Sequence, residues 1–253
     1  MAVELNVKGK NAIITGGNKN LGAATARELA KQGVNLFLHY HSASGKADAD
    51  KLAEELASTY GVKVAVYGAP LNTADDLTKL FDAGEKAIGK FDYAVNNVGM
   101  VLKKPLTEIS EKEFDTMDGI NNKTAFFFLK EAGKRVADHG KIVSLVTSLL
   151  AAYCPGYSIY QGSKSPVEYY SKSLSHELKP RSISVNCVAP GPMDTPFLYG
   201  QETDADISYY KSVGIDGRLT KIEDIVPIIR FLLTEGGWIS GQTIYASGGF
   251  TAH

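Results

Sequence analysis

Near its N-terminus the chain reads Asn11-Ala-Ile-Ile-Thr-Gly-Gly-Asn-Lys-Asn-Leu-Gly22. Residues 11–15 are typical of a buried strand and residues 21–32 of a helix, so the glycines lie in a strand-to-helix turn. Glycine lets the backbone turn tightly and approach a pyrophosphate, and a helix N-terminus offers free N–H groups and a positive dipole end. This placement predicts a dinucleotide-binding loop, with an ordinary glycine-rich turn as the alternative.

Short β-rich segments alternate with longer helical patterns along the rest of the chain. Such alternation is typical of a parallel sheet with helices on both faces and ligands at the carboxyl ends of its strands. We therefore predict an α/β fold, a Rossmann-type doubly wound parallel sheet, in a single dinucleotide-binding catalytic domain over residues 1–253. The predicted strands are 11–15, 34–40, 62–67, 91–95, 141–146, 182–188 and 242–245, and the predicted helices are 21–32, 47–59, 73–88, 111–138, the helix that carries Tyr160 and ends near 178, and 222–234.

The overall charge excludes some classes of partner. The chain has 27 Lys and Arg against 28 Asp and Glu, a net charge of −1. Without a basic excess we expect binding neither to nucleic acid nor to an anionic membrane surface. Two cysteines, Cys154 and Cys187, are too few for a disulfide framework, so we expect a reducing, cytoplasmic setting. His39, His41 and His176 have no ligand-like partners at metal spacing, so we expect them to be structural or solvated and predict no metal site.

Tyr160 and Lys164 are separated by just over one helical turn, so a helix places both side chains on one face. A free phenol has a pKa near about 10 and transfers protons poorly at neutral pH. An ammonium about 4 Å away at an effective dielectric constant of about 20 stabilises the phenolate by about 4 kcal/mol, or about 3 pKa units. The spacing predicts a tyrosine with a lowered pKa that moves a proton on and off a carbonyl or alcohol oxygen, with Ser148 holding that oxygen. Taken alone, the pair also fits an exposed helix with a packed tyrosine.

Together these segments resemble the short-chain dehydrogenase/reductase family, in its NADP-preferring, carbonyl reductase-like branch. The family's motifs fall in the right order on Thr15, Gly16, Asn20 and Gly22, on Asn96-Asn97-Val98-Gly99, on Asn121 with Phe126, on Ser148, Tyr160 and Lys164, and on Pro190, Gly191 and Thr195. Asn20 replaces the usual middle glycine, and asparagine tolerates a positive φ better than most residues. Pro70 stands where the family has an aspartate that contacts adenine, so the backbone of Leu71 is expected to serve instead.

The resemblance implies a catalytic set of Asn121, Ser148, Tyr160 and Lys164. In that mechanism NADPH delivers hydride to a ketone or aldehyde carbon and Tyr160 gives its proton to the oxygen. Lys164 lowers the phenol pKa and reaches the nicotinamide ribose, while Asn121 holds a water that joins Lys164 to solvent. The implied cofactor-binding residues are Gly16, Asn18, Lys19, Asn20, Leu21, Gly22, Tyr40, Ser42, Leu71, Asn97, Val98, Gly99, Tyr160, Lys164, Pro190, Gly191, Met193 and Thr195.

The end of the second predicted strand bears on the choice between NADH and NADPH. NAD-specific members of the family place there a carboxylate that binds the ribose hydroxyls. Counting from Gly33, that position is Tyr40, so a 2′-phosphate would meet no like charge. Lys19 matches the basic loop residue of NADP-binding relatives, and Ser42 and Ser44 can hydrogen-bond a phosphate. We predict NADPH as the cofactor.

The predicted substrate pocket is apolar and aromatic, without clustered Arg or Lys. Its expected lining residues are Met100, Leu149, Leu150, Tyr153, Cys154, Phe197, Leu198 and Tyr199. A neutral, hydrophobic carbonyl compound therefore fits better than a sugar phosphate or a free acid. Residues 194–214 are polar and glycine-containing, and we expect them to form a small mobile lid.

Other functions stay open at this point. A catalytically silent NADP-binding regulatory protein, an alcohol dehydrogenase working in the oxidative direction, and an epimerase or dehydratase on a nucleotide-sugar use related sequences. The last of these needs a larger C-terminal domain than the few residues after the last predicted strand. The resemblance also implies a homotetramer, with the helix around residues 125–136 and the Tyr160 helix packing against symmetry mates. Residues 126–129 are consecutively apolar and cannot all face one core from a single side of a helix.

Overall fold

Seven parallel strands form one sheet in the order β3-β2-β1-β4-β5-β6-β7. The computed structural model describes residues 7–251, so residues 1–6, 252 and 253 of the predicted domain lie outside it. The strands are β1 (Asn11–Ile14), β2 (Asn35–Tyr40), β3 (Val64–Gly68), β4 (Tyr93–Asn96), β5 (Lys141–Leu145), β6 (Ser184–Pro190) and β7 (Thr243–Ala246). The sheet confirms the predicted doubly wound fold, with boundaries shifted by a few residues.

Helices cover both faces of this sheet because strand residues point alternately to either side. In β1, Ala12 and Ile14 join one apolar core, whereas Ile13 joins the other. The helices are α1 (Asn20–Lys31), α2 (Lys46–Tyr60), α3 (Ala74–Ile88), α4 (Glu111–Asp118), α5 (Thr124–Arg135), α6 (Ser158–Glu177), α7 (Pro196–Tyr199), α8 (Asp204–Val213) and α9 (Ile222–Thr234). Helices α1, α2 and α9 pack on the first core, and α3, α5 and α6 pack on the second. No helix within residues 7–251 is long and apolar enough to cross a membrane.

The long helix predicted over residues 111–138 is wrong in one respect. The chain forms α4 and α5 with a π-helical turn, Gly119–Lys123, between them, and α5 ends at Arg135. Long-range hydrogen bonds fix this turn, since the Thr124 hydroxyl donates to the carbonyl of Leu71 at 2.6 Å. The extra residue in the turn directs Asn121 into the interior, where it is fully buried. Such π-turns often occur at functional sites.

The predicted lid contains regular structure. Helix α7 and helix α8 lie within residues 194–214, and Thr203 caps α8 by accepting a hydrogen bond from the backbone N–H of Asp206 at 3.2 Å. The Asp206 carboxylate in turn accepts from the Thr203 N–H at 3.1 Å. This capping box gives the lid a defined start of helix. Both helices follow β6, at the carboxyl edge of the sheet.

Candidate active site

The glycine-rich turn is held against the end of β4 by hydrogen bonds. The Thr15 hydroxyl accepts from the N–H of Asn97 at 2.9 Å, and the Asn97 side chain donates to the carbonyl oxygens of Thr15 and Gly16 at 3.1 and 3.2 Å. Asn20 has a φ of +47°, so asparagine adopts here the left-handed conformation expected at this position. Gly22 packs on the turn so closely that an added Cβ would lie 2.1 Å from the Gly16 carbonyl oxygen.

The N-terminus of α1 lies at the same turn and is open to a ligand. Lys19 precedes the helix, and its side chain makes no capping hydrogen bond to the first backbone N–H groups. Those groups, together with the positive end of the helix dipole, favour an anion. The sequence around the turn therefore supplies a candidate phosphate site made mainly of backbone.

The residues predicted to transfer a proton lie in α6 and shortly after β5. Tyr160 and Lys164 are 8% and 4% exposed, and Ser148 is 2% exposed at the start of a short 3₁₀ turn, Ser148–Ala151. The Lys164 ammonium donates to the carbonyl oxygens of Val98 and Leu145 at 3.3 and 3.1 Å. All three side chains line one cavity of about 670 Å³ that also reaches the glycine-rich turn. The cavity thus joins the candidate phosphate site to the residues predicted to transfer a proton.

Asn121 lies behind this cavity and does not line it. Its side-chain oxygen accepts from the N–H of Met100 at 2.8 Å, and its amide nitrogen donates to the Met100 carbonyl at 2.8 Å and to the Ser163 hydroxyl at 3.0 Å. The neighbouring Asn122 bonds instead to Asp118 and Tyr170 on the other side of the helix. The side chain of Asn121 therefore fixes the backbone beside the cavity.

The expected lowering of the Tyr160 pKa is wrong for this structure. Burial raises the pKa of Tyr160 to about 12, and a hydrogen bond from the Thr147 hydroxyl opposes this only in part. Burial also lowers the pKa of Lys164 to about 8. The ammonium of Lys164 is directed to two backbone carbonyls, and desolvation is the main cause of the shift in both pKa values. Thr147 is a contact of the phenol that the sequence did not indicate.

Comparison with known proteins agrees with this geometry. The family described as enoyl-(acyl carrier protein) reductase matches residues 16–251. A short-chain type dehydrogenase/reductase of Picea abies is 33% identical, over 95% of this chain and 92% of that protein. The chain belongs to the short-chain dehydrogenase/reductase family.

Two further relatives of this short-chain dehydrogenase/reductase are close in length. An Arabidopsis thaliana protein described as NADPH-dependent aldehyde reductase-like, chloroplastic, is 32% identical over 97% of this chain and 96% of its own. The crystal structure of a putative dehydrogenase from Burkholderia cenocepacia with bound NADP is 47% identical and superimposes with a TM-score of 0.96. That alignment covers 100% of this chain and 97% of the other, so the whole described fold is shared.

Most residues expected to bind the dinucleotide line the cavity of this short-chain dehydrogenase/reductase. They are Gly16, Asn18, Lys19, Asn20, Leu21, Ser42, Leu71, Asn97, Val98, Gly99, Tyr160, Lys164, Pro190, Gly191, Met193 and Thr195. Gly22 and Tyr40 do not line it. Gly22 acts through close packing, and Tyr40 lies against Gly68, where an added Cβ would come within 2.3 Å of the Tyr40 ring. His41 lines the cavity in place of Tyr40, together with the carboxylate-bearing Asp48.

His39 was expected to be structural or solvated, and it is buried behind the glycine-rich turn. Its Nδ1 accepts from the N–H of Gly16 at 3.3 Å, and its Nε2 donates to the carbonyl of Ala69 at 2.8 Å. Those two partners require the neutral ring. Burial lowers the pKa of His39 to about 4, so the ring stays neutral at physiological pH. The imidazole links the ends of β1, β2 and β3.

The substrate end of the cavity differs in part from the expected apolar set. Met100, Leu149, Phe197 and Leu198 line it. Of the other expected residues, Leu150 packs in the core, Tyr153 and Tyr199 are exposed, and Cys154 contacts the hydroxyl of Tyr210 at 3.5 Å. The lining residues that sequence reasoning missed at this end include Val101, Tyr157, Glu202, Tyr210 and Phe250.

Glu202 is the least expected of these residues because its side chain is only 1% exposed. Its Oε2 pairs with the Lys103 ammonium at 2.5 Å, and its Oε1 accepts from the Tyr210 hydroxyl at 3.1 Å and from the Tyr157 hydroxyl. Lys103 follows β4 and Tyr157 immediately precedes α6. In the sequence Glu202 is one of several polar lid residues, and no pattern distinguishes it.

Proposed function

We propose that this oxidoreductase uses NADPH to reduce a ketone or an aldehyde to an alcohol, reversibly, with Tyr160 as the general acid and base. The observation that carries the proposal is one cavity lined by both the open N-terminus of α1 and the side chains of Ser148, Tyr160 and Lys164. A phosphate site and a buried proton donor in the same cavity suit transfer of hydride from a dinucleotide to a carbonyl.

The cofactor is NADP(H). The Burkholderia structure carries NADP, and the Arabidopsis relative is described as NADPH-dependent aldehyde reductase-like. In this chain the adenosine end of the cavity contains Lys19, Ser42 and Ser44, which offer one positive charge and two hydroxyls. The carboxylate of Asp48 is the one acidic group at this end among residues 7–251, and it lies in the first turn of α2 rather than at the end of β2.

The residues present fit such a cofactor. Gly16 and Gly22 leave room for a close approach of a pyrophosphate, since side chains there would meet the turn or Asn97. The residues that would hold the dinucleotide are Gly16, Asn18, Lys19, Asn20, Leu21, Ser42, Leu71, Asn97, Val98, Gly99, Lys164, Pro190, Gly191, Met193 and Thr195. When bound, NADPH supplies the hydride, and the protein supplies orientation and the proton.

The protein's own part in reduction follows from burial. With a pKa of about 12, Tyr160 holds its phenol proton at neutral pH and gives it to the carbonyl oxygen as negative charge develops there. The Ser148 hydroxyl, also in the cavity, orients that oxygen. Lys164 uses two of its three N–H donors on backbone carbonyls and keeps one for a ligand. Reduction starts from the protonated phenol, whereas oxidation of an alcohol starts from the phenolate.

A panel of aldehydes and ketones with NADPH and NADH tests the proposal. We expect NADPH oxidation with a neutral, mainly apolar carbonyl compound, and we expect Tyr160→Phe to abolish it. The panel includes an α,β-unsaturated ketone, whose product distinguishes carbonyl from double-bond reduction. NADPH binding without turnover of any panel member would favour the alternative, a catalytically silent NADP-binding regulatory protein.

A further inference from the structure

The substrate end of the cavity contains a network that the proposed proton transfer does not use. It consists of Glu202 with the three groups that bond it, Lys103, Tyr157 and Tyr210, and we call it the Glu202 network. Both tyrosines and the glutamate line the cavity. The ring of Tyr157 packs edge-on against that of Tyr160, with centroids 6.1 Å apart. The network therefore begins one aromatic ring away from the proton donor.

The hydroxyl protons of both tyrosines are already committed. Each phenol donates to Oε1 of Glu202, and each phenol has only one proton. Burial raises the pKa of both phenols, so both stay protonated. The next largest cause is the hydrogen bond to Glu202 for Tyr157 and the contact with Cys154 for Tyr210. Towards the cavity each hydroxyl can therefore offer only oxygen lone pairs. Within residues 7–251, no donor besides Cys154 is placed on either oxygen, and Cys154 reaches only Tyr210.

The charges in and beside the network also favour a ligand that donates hydrogen bonds. The Lys103 ammonium lies between two carboxylates, at 2.5 Å from Glu202 and 3.0 Å from Asp206. One positive and two negative charges leave a net charge of −1 at this end. A ligand carboxylate or phosphate would be repelled, whereas a hydroxyl or an ammonium would find acceptors.

We propose that the Glu202 network is a substrate-specificity site that selects carbonyl compounds carrying a hydrogen-bond donor, a hydroxyl or an amino group, about one aromatic ring from the carbonyl. The Tyr157 and Tyr210 oxygens accept that hydrogen bond, and Glu202 acts as a positioning residue that fixes both hydroxyls as acceptors. This inference rests on the proposed reductase activity and refines the neutral, hydrophobic substrate class.

The probes are sets of aryl ketones with one skeleton. There is one set for each ring position, ortho, meta and para. Each set contains acetophenone, the derivative with a hydroxyl group at that position, which donates a hydrogen bond, and the derivative with a methoxy group there, which only accepts one. For wild type we expect at least one hydroxyl isomer to exceed both its methoxy partner and acetophenone by about tenfold in kcat/KM, the effect of one hydrogen bond. Calorimetric binding of the same compounds to the NADP-loaded protein measures the preference separately from turnover.

The variants are Tyr157→Phe and Tyr210→Phe. Each leaves Glu202 with Lys103 and one remaining phenol, so the carboxylate keeps partners and the fold is retained. The matched controls are Tyr153→Phe and Tyr209→Phe, because both side chains are exposed and neither lines the cavity. We expect at least one of the first pair to reduce the hydroxyl preference, the ratio of kcat/KM for the hydroxyl isomer over that for acetophenone, to within about twofold. Both controls should keep the full preference.

Two results would overturn the inference. One is a wild-type protein that binds and reduces hydroxyl and methoxy partners equally. The other is a loss of kcat/KM in Tyr157→Phe and Tyr210→Phe that is equal for all ketones. That result would mean that the network only holds the lid, residues 194–214, against the rest of the domain. Failure of the proposed function is a separate result, since it abolishes reduction of every ketone while the binding preference remains measurable.

Discussion

Burial raises the pKa of Tyr160, and the hydrogen bond from the neighbouring Thr147 hydroxyl lowers it. Removing the phenol oxygen should remove the general acid without touching the phosphate site. We expect Tyr160→Phe to lower kcat by at least about 10²-fold and to leave the Kd for NADPH within a few-fold of wild type. Steady-state kinetics and fluorescence titration of NADPH measure the two quantities. Turnover retained within a few-fold would remove Tyr160 from the mechanism.

Lys164 provides a second prediction at this scale, from its lowered pKa. Between about pH 8 and its ordinary value of 10.5 the folded protein holds a neutral amine, whereas the unfolded chain holds an ammonium. The unfolded state binds more protons in this window, so this group's contribution to stability rises with pH across it. We expect the free energy of unfolding of wild type, relative to Lys164→Met, to rise by about 2–3 kcal/mol from pH 7.5 to pH 10.

Urea unfolding of the protein without added cofactor measures this difference. Lys172→Met is the matched control, because Lys172 lies in the same helix and the pKa of its ammonium is raised by Glu168 rather than lowered. A constant difference between wild type and Lys164→Met across the pH range would contradict the assigned direction.

At the scale of elements, the start of α1 depends on the absence of a side chain at Gly22. An alanine Cβ there would lie 2.1 Å from the Gly16 carbonyl oxygen, so the turn must move. We expect Gly22→Ala to lower the free energy of unfolding by about 2 kcal/mol and to weaken NADPH binding. In the matched control, Gly162→Ala in α6, the new Cβ meets nothing within 4 Å, and we expect a gain of about 0.5–1 kcal/mol from helix propensity. Equal effects at both positions would contradict the packing argument.

The end of β2 carries the prediction on cofactor preference. Because His41 lines the cavity and Tyr40 does not, a carboxylate that repels the 2′-phosphate belongs at position 41. We expect His41→Asp to lower the ratio of kcat/KM for NADPH over NADH by about tenfold, and Lys19→Ala to shift it the same way. Tyr40→Asp should mainly lower Tm, since the tyrosine ring is 8% exposed against Gly68. A wild-type preference for NADH would refute this account of the β2 end.

At the scale of the whole molecule, α5 and α6 each carry an exposed aromatic side chain. Phe126 is 44% exposed and Tyr169 is 68% exposed, whereas Phe128 and Leu129 are buried in the core. The helix period explains this split of four consecutive apolar residues. We propose that both exposed side chains are covered in a homotetramer.

Light scattering at micromolar protein concentration tests the assembly. We expect a tetrameric mass for wild type and a smaller mass for Phe126→Glu combined with Tyr169→Glu, because charges would be buried at the contact. Tyr153→Glu, at another exposed aromatic residue, serves as the control. A monomeric wild-type mass would refute the proposal.

The sequence by itself determined the parallel sheet, the glycine-rich turn and the helical face that carries Tyr160 and Lys164. These features are encoded by neighbours in the chain: alternation of strands and helices, glycines at a turn, and a spacing of four residues. Local patterns of this kind can be recognised in the sequence without knowledge of distant contacts. The placement of Asn20 at a positive φ belongs to the same class.

Only the tertiary structure decided the π-turn at Asn121, the neutral ring of His39 and the Glu202 network. Each depends on groups far apart in sequence, as in the bond between Thr124 and Leu71, 53 residues apart, or the pair Lys103–Glu202, 99 residues apart. The pKa of Tyr160 belongs with them. Helical spacing placed Lys164 on the same helix face, but desolvation depends on everything that packs around the ring, and in the folded chain burial outweighs the hydrogen bond from Thr147.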